Sequence, residues 1–230
     1  MNYQEKELII FDLDDTLTES KSQLEDEMAH LLIKLLDKKK VAIISGGTFS
    51  QFEKQVLSNL PADTKQLKNL FLLPTTGTRL YVWKESGIDK NEITPSAGWH
   101  EGYAENILPR DRKRIIESIE DAWKESGLEL PEKIFGERIQ DRESQVTLSA
   151  LGQEAPVDLK KAWDPTKEKR QKLAGILKDK LPDFDVVMGG STSVDVTMKG
   201  VDKAYGINKL RDFLNIPLEH MLFIGDEIVP

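Results

Sequence analysis

The feature that most constrains the fold is an alternation. Over the first ~85 residues, short continuous apolar runs are separated by stretches of helical period. "ELIIFDLD" reads as a buried strand, an apolar run bounded by polar residues. A helix follows, with Leu24, Met28, Leu31, Leu32, Leu35 and Leu36 at helical spacing. Acids stand early in it and Lys38, Lys39 and Lys40 at its end, as the helix dipole favours. "VAIIS" is a second buried strand, "GGTFSQFEKQVLSNL" a helix opened by two glycines, and "NLFLLPTTG" a third strand. "TRLYVWKES" alternates and reads as one more strand, more exposed. Strand–helix–strand alternation predicts a parallel α/β sheet with crossover helices. Ligands of such sheets bind at the carboxyl ends of the strands, where Asp12, Asp14, Ser45, Gly46 and Gly47 fall.

The pattern then changes. "GIDKNEITPSAGWHEGY" is polar and turn-rich, and "RDRKRIIESIEDAWKESG" is an amphipathic helix. "KIFGERIQDRESQVTLSALGQ" and "DFDVVMGGSTSVDVTMK" each read as two strands around a turn, flanking a helical region broken near Asp164-Pro165. Adjacent hairpins with helices predict an α+β unit with an antiparallel sheet. After Lys199 the first style returns, with "KAYGINKLRDFL" as helix and "HMLFIGD" as strand. The expected architecture is a Rossmann-like α/β core with an inserted α+β cap. The core comprises residues 1–87 and 197–230, and the cap 88–196.

Composition excludes several classes. A formal net charge of -8 disfavours nonspecific binding to nucleic acid or anionic membranes, though a cleft can still attract an anion. There is no cysteine, so no disulfide framework or thiolate metal site. No apolar run is long enough to span a bilayer, and the N-terminus lacks a signal-peptide core. A cytoplasmic, soluble protein is expected. The oligomeric state stays open, a homodimer among the options.

The acids at the end of the first strand need an explanation. Close carboxylates repel, and each costs free energy to desolvate. A bound divalent cation would remove that repulsion, and hard oxygen donors in a chain without cysteine favour magnesium. A metal-bound aspartate can then attack phosphorus. Ser45, the Gly46 and Gly47 amides and Lys203 could hold a phosphoryl group. Alone, Lys203 would read as a surface lysine at a helix start.

"FDLDDTLT", "VAIISGG", "GVDKAYG" and "FIGDE" resemble, in order, the four motifs of the haloacid dehalogenase superfamily. The resemblance implies that Asp12 is the nucleophile forming an aspartyl-phosphate and that Asp14 is general acid and base. It implies that Ser45 and Lys203 hold the phosphoryl group, and that Asp226 helps bind Mg2+. The place of the cap resembles class IIB of this superfamily. "GERIQDRESQVTLSALGQ" and "GGSTSVDVTMKGVDK" are similar to cap segments of the eukaryotic-type α-phosphomannomutase family. That similarity implies that Ser193 and Asp195 contact a sugar and Arg142 its non-reacting phosphate. Gln153 stands where that family has an arginine, another is replaced near Lys160, and Lys21 stands for a further one. Asp15 replaces a glycine common in the mutases. The chain stops at "GDEIVP", short of the rest of motif four, which predicts a weakened metal site whether the sequence or the protein itself ends there. The expected activity is Mg-dependent phosphoryl transfer on a sugar phosphate, phosphomannomutase-like. A sugar-phosphate phosphatase is the alternative, and a non-catalytic sugar-phosphate-binding protein a further one.

Overall fold

The computed structural model describes residues 3–19, 22–85 and 97–226. By its contacts the chain divides into two compact units, Met1–Ala104 with Asp202–Pro230, and Glu105–Val201.

The first unit is a six-stranded sheet in the order β10-β1-β2-β3-β4-β5. Its strands are β1 (Leu8–Asp12), β2 (Lys40–Ile44), β3 (Leu70–Leu73), β4 (Arg79–Trp83), β5 (Trp99–Ala104) and β10 (Met221–Ile224). The first four in that spatial order run parallel, whereas β4 is antiparallel to both β3 and β5. Its helices are α1 (Asp26–Leu36), α2 (Phe49–Gln55), the short α3 (Thr64–Leu67) and α7 (Lys203–Leu214). The continuous apolar runs follow from burial on both faces. Val41 and Ile43 pack with Leu13, Leu36 and Phe52 on one side. Ala42 and Ile44 pack with Leu8, Ile10 and Leu210 on the other. Each fully buried aliphatic side chain contributes about 1.5–3 kcal/mol. Leu24 precedes α1 rather than lying in it, and Leu31, read as part of the apolar stripe, is exposed.

The second unit packs α4 (Pro109–Ser126) and α6 (Glu168–Lys180) on a four-stranded antiparallel sheet in the order β6-β7-β9-β8. Its strands are β6 (Ile139–Asp141), β7 (Gln145–Ser149), β8 (Phe184–Met188) and β9 (Ser193–Met198), and α5 (Val157–Trp163) precedes α6. Val146, Leu148, Val194 and Val196 meet Ile115, Ile119, Leu173 and Leu177 in one core. The helical break at Asp164 is where sequence placed it: α5 ends at Trp163 and α6 begins at Glu168.

The sequence puts the crossings between units near 87–88 and 196–197, whereas the contacts put them at 104–105 and 201–202. The first shift has a clear cause. β5 is an edge strand with no fully buried residue and carries Gly102, so it lacks the apolar signature by which strands are read. It pairs with β4 from Arg79↔Ala104 to Trp83↔Trp99 and so belongs to the first sheet. The second arises because β9 continues to Met198 beside β7 and β8.

Candidate active site

The site in the first unit forms where β1 ends. Asp12 pairs in register with Ile44 of β2, and Phe11 with Ile224 of β10. The carboxyl ends of three strands therefore converge. Beyond Asp12 the chain turns sharply, with Leu17 and Thr18 amides both donating to the Leu13 carbonyl and Asp15 to that of Thr18. Asp15 sits at φ 58°, the left-handed conformation that aspartate tolerates better than most residues. Leu13 and Leu17 anchor the turn in the core.

Asp12 is buried, 6% exposed. One carboxylate oxygen accepts the Leu13 amide at 2.8 Å and the other accepts Lys203 Nζ. Burial pushes the carboxyl above its ordinary range, and the charge of Asp226 adds to that, against the lowering pull of Lys203 and the Leu13 amide. Lys203 is the first residue of α7, whose start is capped by Asp202, accepting from the Tyr205 amide at 2.7 Å. Ser45 is buried at the end of β2. Its hydroxyl lies 3.5 Å from Asp14 Oδ2 and accepts the Gly47 amide at 3.1 Å. In this arrangement the Gly47 N–H, expected to face a phosphoryl group, is given to Ser45. Gly46 follows Ser45 in the same loop, ahead of the capping box of Thr48 and Gln51 that starts α2. Asp226 follows β10 and is exposed, and a Cβ placed on its neighbour Gly225 would lie 3.5 Å from Asp12 Cβ.

This donor set fits magnesium. Among the described residues no group of three or more Asp, Glu or His side chains is gathered as a metal cage. Two carboxylates and the Asp14 carbonyl are hard oxygens, and Mg2+ usually keeps several waters and one or two carboxylates. The like-charge strain between Asp12 and Asp226 is what a cation there would relieve.

Two features were missed in the sequence. Gln55 is buried and donates to Asp14 Oδ1 and to the Ser22 carbonyl, both at 3.3 Å. Its signal was a polar residue three positions after Phe52, on the buried face of α2. The second is the loop 75–78. The Thr75 and Thr76 amides donate to the carbonyls of Gly47 and Ser45, and Gly77 meets Gly206 of α7. A Cβ on Gly206 would lie 2.9 Å from Gly77 Cα and 2.8 Å from Ile44 Cδ1. Two glycines thus let the helix carrying Lys203 approach the loop that braces Ser45.

In the second unit, Ser193 and Asp195 lie on β9 of the sheet and Arg142 in its β6–β7 turn. Ser149↔Ser193 and Thr147↔Asp195 pair across β7 and β9. The two serine hydroxyls are 3.1 Å apart. Gln145 donates to Thr147, which donates to Asp195 Oδ1 at 2.7 Å. Arg142, in the β6–β7 turn, donates through Nε to Gln140 at 2.8 Å. Burial pulls its guanidinium below the ordinary value while Asp195 opposes. Gln153 lies in the loop after β7, its carbonyl accepting the buried Lys160 ammonium at 2.8 Å. Lys21 and the residues after Asp226 lie outside the described residues.

An α/β sheet with a lysine-paired aspartate at the end of its first strand, and a second unit inserted in the chain, is an arrangement that suits phosphoryl transfer. The chain belongs to the haloacid dehalogenase-like hydrolase family, which it matches over residues 9–228. That membership supports an enzyme rather than a non-catalytic binding protein. Among curated relatives, the phosphomannomutase of Encephalitozoon cuniculi is 24% identical over 98% of this chain and 82% of its own length. Phosphomannomutase 2 of Dictyostelium discoideum is 23% identical over 99% and 84%. Among solved structures, an N-terminally truncated IMP-nucleotidase of Plasmodium falciparum has TM-score 0.66 at 17% identity, covering 99% of this chain. This chain spans 62% of that structure's length. A haloacid dehalogenase-like hydrolase from Bacteroides thetaiotaomicron has TM-score 0.57 at 15% identity, covering 96% of this chain and 82% of that one. These structures share the fold. Among the described residues, no helix is long and apolar enough to cross a membrane.

Proposed function

We propose that the protein transfers the phosphoryl group of a sugar phosphate through an aspartyl-phosphate at Asp12, as a phosphomannomutase-like enzyme. The observation that carries this reading is Asp12 itself, buried at the end of β1 and paired with Lys203, 191 residues on in sequence. Lys203 favours the ionised form that a nucleophile needs, against the burial that opposes it. An Asp12 oxygen attacks phosphorus, and the bond from phosphorus to the sugar oxygen breaks. Asp14 gives its proton to the departing oxygen, then takes one from the acceptor hydroxyl that attacks the aspartyl-phosphate. Gln55 and Ser45 hold the Asp14 carboxylate for that exchange. Lys203 and Ser45 neutralise or hydrogen-bond the transferring oxygens. Asp12, the Asp14 carbonyl and Asp226 would hold Mg2+, which supplies further charge neutralisation when bound.

The second unit acts as the substrate-specificity cap. Ser193 and Asp195 accept or donate to sugar hydroxyls, and Arg142 receives the non-reacting phosphate, a task for which its planar fork is suited. A phosphatase, with water as acceptor, is the second reading. Gln153 and Lys160 favour it, because Lys160 is directed at a backbone carbonyl and Gln153 carries no charge. A screen of sugar mono- and bisphosphates with Mg2+, scoring free phosphate and isomerised sugar separately, tests both readings. Isomerised sugar supports the mutase, free phosphate alone the phosphatase. Turnover of neither overturns the sugar-phosphate assignment.

A further inference from the structure

The second unit contains a buried ion pair that the proposed chemistry does not use. Asp164 and Arg170 are 1% and 7% exposed at their side chains. Arg170 Nε donates to Asp164 Oδ2 at 2.9 Å, and the amides of Lys169 and Arg170 donate to the same carboxylate at 3.0 and 3.1 Å. The other end of the guanidinium reaches across to the β8–β9 turn. Its Nη1 donates to the Gly189 carbonyl at 3.0 Å and to the Gly190 carbonyl. The Gly189 amide donates to the Ser193 carbonyl at 3.0 Å and closes the hairpin.

A buried ion pair is a weak source of net stability, because desolvation offsets the attraction. Fixing a geometry is the better account of this one. The geometry in question is close to Asp195. A Cβ on Gly189 would lie 2.6 Å from Asp195 Oδ2 and 3.3 Å from Ser193 Cβ, whereas one on Gly190 meets nothing within 4 Å. The bare Gly189 backbone therefore borders the Asp195 carboxylate on one side. Thr147 holds its other oxygen.

We propose that Arg170 is a positioning residue for substrate selection: held by Asp164, it fixes the Gly189–Gly190 turn, which in turn fixes the Asp195 carboxylate. This rests on the reading that Asp195 contacts the sugar. Arg170 touches no substrate and acts only through the turn. An error of an ångström in a recognition group can cost on the order of a hundredfold in rate.

The test compares kcat/KM for the hexose phosphate turned over fastest with kcat/KM for 4-nitrophenyl phosphate, which has no sugar. Gly189→Ala displaces the carboxylate while keeping the ion pair. It is expected to lower the hexose-to-aryl ratio about tenfold or more. Gly190→Ala adds the same methyl to open space and should keep the ratio within about twofold. Arg170→Met should lower the ratio, and Arg170→Lys, which retains the charge, should recover part of it. Asp195→Asn separates the two layers. If it lowers the ratio and Gly189→Ala does not, the positioning role is wrong and the recognition role stands. If it leaves the ratio unchanged, the recognition role falls and this inference falls with it. Should the Arg170 variants fail to fold, the two glycine variants still decide. Equal losses on both substrates in Gly189→Ala would mark a merely structural turn and overturn the proposal.

Discussion

The two candidate regions are built from opposite materials. In the first unit, charge is concentrated where parallel strands end: Asp12 pairs with Lys203, the charge of Asp226 acts on it, Asp14 follows in the next turn, and burial keeps Asp12 above its ordinary range. In the second, an antiparallel sheet offers hydroxyls in cross-strand pairs, with one arginine and one aspartate among them. The first arrangement is costly to fold and suits a reaction that moves charge. The second is nearly neutral and suits shape and hydrogen-bond recognition. The difference implies that substitutions in the two regions are felt by different kinetic quantities, and the predictions below are ways to break that separation.

The largest effect is expected for Asp12→Asn. An amide cannot serve as the nucleophile, so turnover of every phosphate ester should fall by about a thousandfold or more. The fold should not suffer. A carboxyl whose folded pKa is raised costs stability above that pKa, and the cost disappears below the unfolded value. Removing it should leave the thermal midpoint of metal-free protein at neutral pH unchanged or higher. Retention of a tenth of wild-type turnover would remove Asp12 from its role.

Metal removal comes next. Dialysis against a chelator should abolish turnover of hexose and aryl phosphates alike, and added Mg2+ should restore both. Calorimetry should detect Mg2+ binding to the wild type with a phosphate analogue present, and not to Asp12→Asn. Full activity in chelator would contradict the proposed metal.

Arg142→Ala should behave differently. A charge-assisted phosphate contact contributes on the order of 1.5–3 kcal/mol, so kcat/KM for hexose phosphates should fall roughly ten- to a hundredfold. The loss should be much smaller for an aryl phosphate. Equal losses would return Arg142 to a structural role.

The smallest effect concerns stability alone. Burial raises the Asp164 pKa, but hydrogen bonds from Arg170 and two amides outweigh it, and the net shift is downward. A depressed folded pKa gives stability that is present above the unfolded value and lost as pH falls through the folded one. The stability gap between wild type and Asp164→Asn in denaturant titrations should therefore be full above about pH 4 and shrink below it. A gap that widens on acidification would contradict the pairing.

Legibility in the sequence followed the same division. The core strands were readable because β1, β2 and β3 are buried on both faces and leave continuous apolar runs. Asp12 and Ser45 were readable because each stands at the end of such a strand, whereas Lys203, at the start of α7, stood out only through its order after the first motif. β5 was not, because an exposed edge strand carries no such run. Gln55 and Gly206 were missed because their roles are contacts with residues distant in sequence, Asp14 and Gly77, that no local pattern encodes. In the second unit the strands were legible as two hairpins, the second turning at its Gly189-Gly190 pair. The Asp164–Arg170 pair was not, since it acts on a turn some twenty residues downstream.

The central claim is that Asp12 carries the phosphoryl group. Rapid mixing of the enzyme with Mg2+ and a sugar phosphate labelled at phosphorus, followed by acid quench and peptide mapping, tests it directly. The account predicts acid-stable, hydroxylamine-sensitive label on the peptide containing Asp12, formed and lost within a turnover and absent from Asp12→Asn. Turnover without covalent label, or label on any other residue, would contradict it.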